Sequence, residues 1–130
     1  IGMASNHPLA AKAELEPSDL VTESFITMRN TRYGPAQGQI FAECRRLGFS
    51  PRVIQEAANE QMQLALIATG LGVGLVTGST ELVCPGQLVL RPLQGLKHAL
   101  DLDLLWLRKN SSSPLQHLLR IFSAVLARPV

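Results

Sequence analysis

The chain has 130 residues, 46% of them hydrophobic and 17% charged, and a formal net charge of +2. That length and apolar content suit one globular domain burying roughly two thirds of its unfolded surface, and exclude a disordered or fibrous chain. Twelve Lys and Arg residues are scattered from Lys12 to Arg128 and ten acids offset them, which argues against a nucleic-acid surface on this segment. No apolar run approaches the ~20 residues of a membrane helix, and no basic region followed by an apolar stretch opens the chain. A soluble, cytoplasmic protein is expected.

Ile1-Gly2-Met3-Ala4-Ser5 reads as the middle or end of a strand, as though cut from a longer chain. Pro8 then breaks the strand, because it lacks an amide donor and biases its predecessor away from helix, and Lys12 to Asp19 reads as a polar loop. Glu23 to Met28, with Phe25, Ile26 and Thr27, has the β-branched and aromatic content of a short strand. Arg29 to Gly34 follows as a loop at its carboxyl end.

Pro35 suits the first turn of a helix running to about Leu47, where Ile40, Phe41, Cys44 and Leu47 recur along one apolar face. Gly48 is placed to end it. Arg52 to Ala57 is a second strand, and Asn59 an N-cap for a helix from Glu60 to Thr69, with an acid in the first turn where the helix dipole favours one. Met62, Ala65, Leu66 and Thr69 share one face of that helix, but Leu64 and Ile67 stand elsewhere, so it is expected to be largely buried. Gly70, Gly72 and Gly74 lead into a short strand at Leu75-Val76 and a turn over residues 77 to 80.

Residues 87 to 92 and 100 to 108 read as two more strands. Ser113 to Gln116 reads as a capping box with Pro114 at the first helical position. The last helix carries Leu115, Leu118, Leu119, Phe122, Val125 and Leu126 as a wide apolar stripe. Strands and helices alternate, which predicts an α/β layer structure with mostly parallel strands.

Little in this pattern points to catalysis. Cys44 and Cys84 are far apart with no CxxC, and His7, His98 and His117 are isolated, so neither a metal site nor a disulfide framework is indicated. The glycines at 70, 72 and 74 lie after a helix and before a strand, the reverse of a dinucleotide fingerprint, and read better as a helix cap with close backbone packing. Glu56 and Glu60 straddle a strand-to-helix boundary and read as solvated acids rather than a catalytic pair. Two loops suit binding: Thr27, Met28, Arg29 and Asn30 end one strand, and Ala58 to Gln61 ends another and opens a helix, where free amides face a ligand. Arg29 is either a solvated loop arginine or a partner for a carboxylate.

His7-Pro8-Leu9-Ala10, Asp19-Leu20, Gly48-Phe49-Ser50-Pro51, the stretch from Leu66 to Val76 and Arg91-Pro92-Leu93 form an ordered set covering nearly the whole chain. No single one is specific, but together they resemble the effector-binding domain of LysR-type transcriptional regulators. The resemblance implies a periplasmic-binding-protein-like α/β fold, with a small effector held between two lobes joined by crossover strands. It makes residues 1–5 the first crossover, 6–95 the second lobe, and 96–130 the return strand and helix belonging to the first lobe. Thr27, Met28, Arg29 and Asn30, together with Asn59, Glu60 and Gln61, would contact the effector. Thr77 and Gly78 stand where the family usually has proline after the short strand, and Thr77 is a further candidate contact. The implied protein is a regulator and not an enzyme. It requires no cofactor, assembles as a homo-oligomer, and touches DNA only through a helix-turn-helix outside this chain; a solute-binding protein of similar fold is the alternative.

Overall fold

The computed structural model describes residues 1–29, 34–82, 86–97 and 105–126, with side chains of 34–37, 81–82 and 126 excepted. By its contacts the chain divides into two units, residues 1–99 and 100–130.

In the first unit the sheet is built around β2 (Ser24–Met28). It pairs in parallel with β3 (Arg52–Ala57), with a register shift between Phe25 and Ile26. On the other side of β2, Val73 forms a parallel bridge to Phe25 and Gly74 an antiparallel one to Gly2. Val73 and Gly74 therefore join the first pair of strands to a second, in which β1 (Gly2–Ala4) runs antiparallel to β4 (Leu88–Leu90). The layer order is β4, β1, residues 73–74, β2, β3.

This mixed sheet corrects the expectation of mostly parallel strands. The parallel relations occur where a full helix fills the connection: α1 (Gly34–Arg46) between β2 and β3, and α2 (Glu60–Ala68) between β3 and Val73. A parallel crossover needs such a connection. The link from β1 to β2 contains the 3-10 turns Pro8–Ala11 and Pro17–Leu20 and a single bridge from Leu15 to Leu93 but no full helix, so nothing there imposes a parallel return to β1. In the first turn His7 is structural: its Nδ1 accepts from the Leu9 amide at 3.2 Å and its Nε2 lies 3.5 Å from Glu23. The second turn begins at Pro17, inside the stretch read as loop.

Consecutive residues of β2 are buried in different clusters, as a strand covered on both faces requires. Phe25 packs with Met3, Leu15, Leu20, Cys44, Phe49, Val73 and Leu93. Ile26 packs with Leu64, Ile67 and Leu88 from α2 and β4. Cys44 sits in the first cluster as a core residue, and burial pushes its thiol up to about 11, which keeps it protonated and unreactive at neutral pH. Gly48 takes φ +92 after α1 and Gly70 φ +79 after α2, both in the left-handed region that lets a helix stop.

Three details differ from the sequence reading. The buried side of α2 is Gln63, Leu64 and Ile67, whereas Met62 is 42% exposed. The helix is apolar on several sides, so periodicity could not choose the face. Pairing after α2 falls on Val73 and Gly74 rather than Leu75-Val76. A Cβ on Gly72 would collide with the Ser24 carbonyl, and one on Gly74 would meet Ile67 Cδ1 at 2.6 Å. The glycines admit the close approach of two backbones, which is why the strand sits on them. Residues 105–108 form no strand, and Leu105 is 89% exposed; the rest of that expected strand, residues 100–104, lies outside the described residues.

The second unit is described through α3 (Ser113–Leu126). Ser113 lies inside the helix rather than capping it, because the first helical bond runs from the Gln116 amide to the Ser112 carbonyl at 3.1 Å; Pro114 is thereby the second helical residue. Leu118, Ile121, Phe122 and Val125 are exposed along the helix, and Leu115 and Leu119 are half-buried.

Candidate functional site

Because β2, β3 and the Val73-Gly74 segment run in one direction, their carboxyl ends leave the sheet at the same edge. Met28 and Arg29 continue β2, Ala58 and Asn59 continue β3, and Leu75 to Thr77 continue the third. Two of these ends are tied together: the Arg29 amide donates to the Ala57 carbonyl at 2.8 Å. Ligands settle at such an edge because strands end there and helix N-termini present unpaired amides.

Each candidate residue has a definite place. Thr27 and Met28 are half-buried on β2, and Arg29 is exposed just beyond it, its guanidinium without a hydrogen-bond or ion-pair partner among the described residues. Asn30 lies outside the described residues. Asn59 is the N-cap of α2, its Oδ1 accepting from the Met62 amide at 2.8 Å. Glu60 and Gln61 form the exposed first turn, where helix geometry leaves their amides without an intrahelical acceptor. Thr77 is half-buried beyond the third strand end. Its hydroxyl lies 2.9 Å from Ser79 Oγ and 3.4 Å from Thr80 Oγ1.

Asn59→Ala removes the cap and is expected to cost about 1 kcal/mol in urea denaturation, whatever its effect on a ligand. Asn59→Asp keeps an oxygen acceptor for the Met62 amide and is expected to hold full stability.

Two side chains at this edge escaped the sequence reading. Thr80, 1% exposed, lies behind Thr77 within the 3-10 turn Gly78–Leu82. Gln63, 3% exposed, projects from the buried side of α2 and donates to the Ile26 carbonyl at 2.9 Å. A glutamine in an apolar helical run carries no local signal that it faces inward. Among the described residues the edge offers hydroxyls, amides, the unpaired guanidinium of Arg29 and the exposed acids Glu56 and Glu60. Among the described residues no cluster of three or more His, Cys, Asp or Glu is placed to hold a metal ion. Cys84 and His98 lie outside the described residues. Hydrogen bonding and charge pairing are what these groups supply.

The family model for the LysR substrate binding domain matches residues 2–127. The chain belongs to the LysR substrate binding domain family. Among its relatives, the HTH-type transcriptional regulator AlsR of Bacillus subtilis is 22% identical over 121 residues, covering 93% of this chain and 40% of that protein. XapR of Escherichia coli, another HTH-type transcriptional regulator, is 31% identical over 97 residues, covering 72% of this chain and 31% of that protein. The chain therefore spans less than half the length of these relatives. The CcmR regulatory domain of Synechocystis, solved in complex with 2-PG, superposes with a TM-score of 0.73 at 18% identity, over 98% of this chain and 62% of that one. The BenM effector binding domain with its effector benzoate gives 0.62 at 19% identity, over 99% and 61%. These likenesses establish the LysR effector-domain fold, which is periplasmic-binding-protein-like. No helix among the described residues is long and apolar enough to cross a membrane.

Proposed function

We propose that this chain is the effector-sensing part of a LysR-type transcriptional regulator. A small molecule is held between two lobes and coupled to DNA through a separate helix-turn-helix. The observation that carries the reading is the convergence of three parallel strand ends, with the α2 N-terminus, at one edge of the sheet. Residues 1–5 serve as a crossover strand, residues 6–95 as the second lobe, and residues 96–130 as the return into the first lobe. The neighbours' ligands support the scale of the effector: benzoate for BenM, 2-PG for CcmR, and shikimate for the QuiR effector binding domain. The relatives' names favour the regulator over the solute-binding alternative.

The working step is a population shift. The effector binds the closed arrangement of the lobes better than the open one, and only that difference moves the equilibrium. Closure passes to DNA through a cytoplasmic homo-oligomer. No covalent step is required, and the protein acts as a sensor and not as an enzyme. Arg29 supplies the charge-assisted bond to an acidic effector group, with Thr27, Met28, Asn30, Asn59, Glu60, Gln61 and Thr77 around it.

The test is reporter expression driven by the parent regulator across a panel of small acids that includes benzoate and shikimate. Arg29→Ala is expected to raise the half-maximal effector concentration by about tenfold or more, while the melting temperature of the chain stays unchanged. An unaltered response would remove Arg29 from the site.

A further inference from the structure

Gln63 is a buried side chain whose amide serves no helix or strand of its own. Its Nε2 donates to Ile26 O at 2.9 Å and approaches Leu75 O at 3.5 Å. Both partners are carbonyl oxygens, so the amide can face them only with its NH2 group, and its orientation is chemically fixed. One carbonyl belongs to β2, immediately before Thr27, Met28 and Arg29. The other belongs to the segment leading into Thr77. The glutamine itself lies on α2 just past the first turn, its backbone amide donating to the Asn59 carbonyl at 3.0 Å. A Cβ on Gly74 would come within 3.1 Å of Nε2, so the amide head lies against the strand at a point where only glycine leaves room.

We infer that Gln63 is a positioning residue, clamping the three segments that end at the candidate site so that β2, the 75–77 segment and the α2 N-terminus keep one spacing. The inference rests on reading those ends as the effector-contacting loops, but the clamp itself is a property of the unliganded chain. A single buried NH2 facing two carbonyls links two of the ends to the helix that carries the third, and breaking it leaves the buried Ile26 carbonyl without this donor. The isosteric apolar replacement Gln63→Met keeps the volume and the helix propensity but removes the donor.

Amide hydrogen exchange by NMR on the unliganded chain reads this directly. The reporters are the amides of Ile26, which donates to Val73 O, Arg29, which donates to Ala57 O, and Thr80, which donates to Thr77 O. The controls are the amides of Leu15, which donates to Pro92 O, and Leu47, which donates to Glu43 O, both remote from the clamp. In Gln63→Met the reporters are expected to exchange about tenfold faster relative to the controls. Equal acceleration of reporters and controls, as general loss of stability produces, overturns the inference, and so does no acceleration. The wild-type protein supplies a second reading that needs no variant to fold: the Gln63 side-chain NH2 protons are expected to exchange more slowly than those of exposed Gln61. Equal rates there also overturn it. Because no effector enters either measurement, failure of the clamp is distinct from failure of the effector assignment, which the Arg29 response tests.

Discussion

Gly72→Ala is expected to cost about 3 kcal/mol in urea denaturation, a large share of the stability of a small domain. The Cβ of any residue at this position collides with the Ser24 carbonyl oxygen, with the Ser24 carbonyl carbon 3.2 Å away. Both are backbone atoms, so no rotamer change relieves the contact. Nor can the strand retreat cheaply, because the Val73 amide donates to that same Ser24 oxygen at 2.8 Å and the Ile26 amide donates to Val73 O at 2.8 Å. Moving residue 72 outward loosens the bonds that join the two halves of the sheet. Gly38→Ala is the matched control. It lies in α1 with nothing within 4 Å of its Cβ position, and alanine there is expected to add roughly 0.5–1 kcal/mol through helix propensity. A loss at Gly72 below about 1 kcal/mol would show that this strand has slack the geometry denies.

The glycine cluster also shows what the sequence could and could not reveal. Its order, helix before and strand after, was enough to set aside a phosphate-binding role. Close backbone packing was expected there, but the backbones that approach, those of Ser24 and Ile26, lie far away in sequence. The same division runs through the fold. β2, α1, β3 and α2 were legible because their signals are local: β-branched and aromatic residues between polar loops, Pro35 at a helix start, Gly48 at its end, and Asn59 before an acidic first turn. Strand direction was not local, since β1 and β4 pair antiparallel across most of the unit. The candidate site divides likewise. Its loops followed from where strands stop and helices start, whereas Gln63 and Thr80 could be found only once α2 and the 78–82 turn had been placed against the sheet. A polar residue in an apolar helix reads as facing water until the carbonyls it satisfies are located.

Phe25→Ala is expected to be the most damaging side-chain truncation among the described residues, at about 4 kcal/mol. Phe25 is 1% exposed and leads the fully buried side chains by volume. Its ring lies 6.2 Å from that of Phe49 at an interplanar angle of 31°, a separation at which aromatic pairs add to simple burial. The surrounding residues come from β1, the 15–20 segment, α1 and the Val73 strand, so a cavity opened here has walls held by several separate elements. Such a site collapses poorly, and the cost of truncation rises with the volume left empty. Phe25→Leu, which leaves most of that volume filled, is expected to lose less than half as much. Val53, the register partner of Phe25 on β3, provides the contrast: it is 38% exposed, and Val53→Ala is expected to cost about 1 kcal/mol or less. Denaturant titration of the three variants checks the order. Equal losses for Phe25→Ala and Val53→Ala would place the core elsewhere than at the junction of β1, β2 and α1. Because β2 also carries Thr27, Met28 and Arg29 to the sheet edge, a Phe25→Ala chain that folds is expected to keep that edge in place. Stability and the Arg29-dependent response are therefore separable on the same strand.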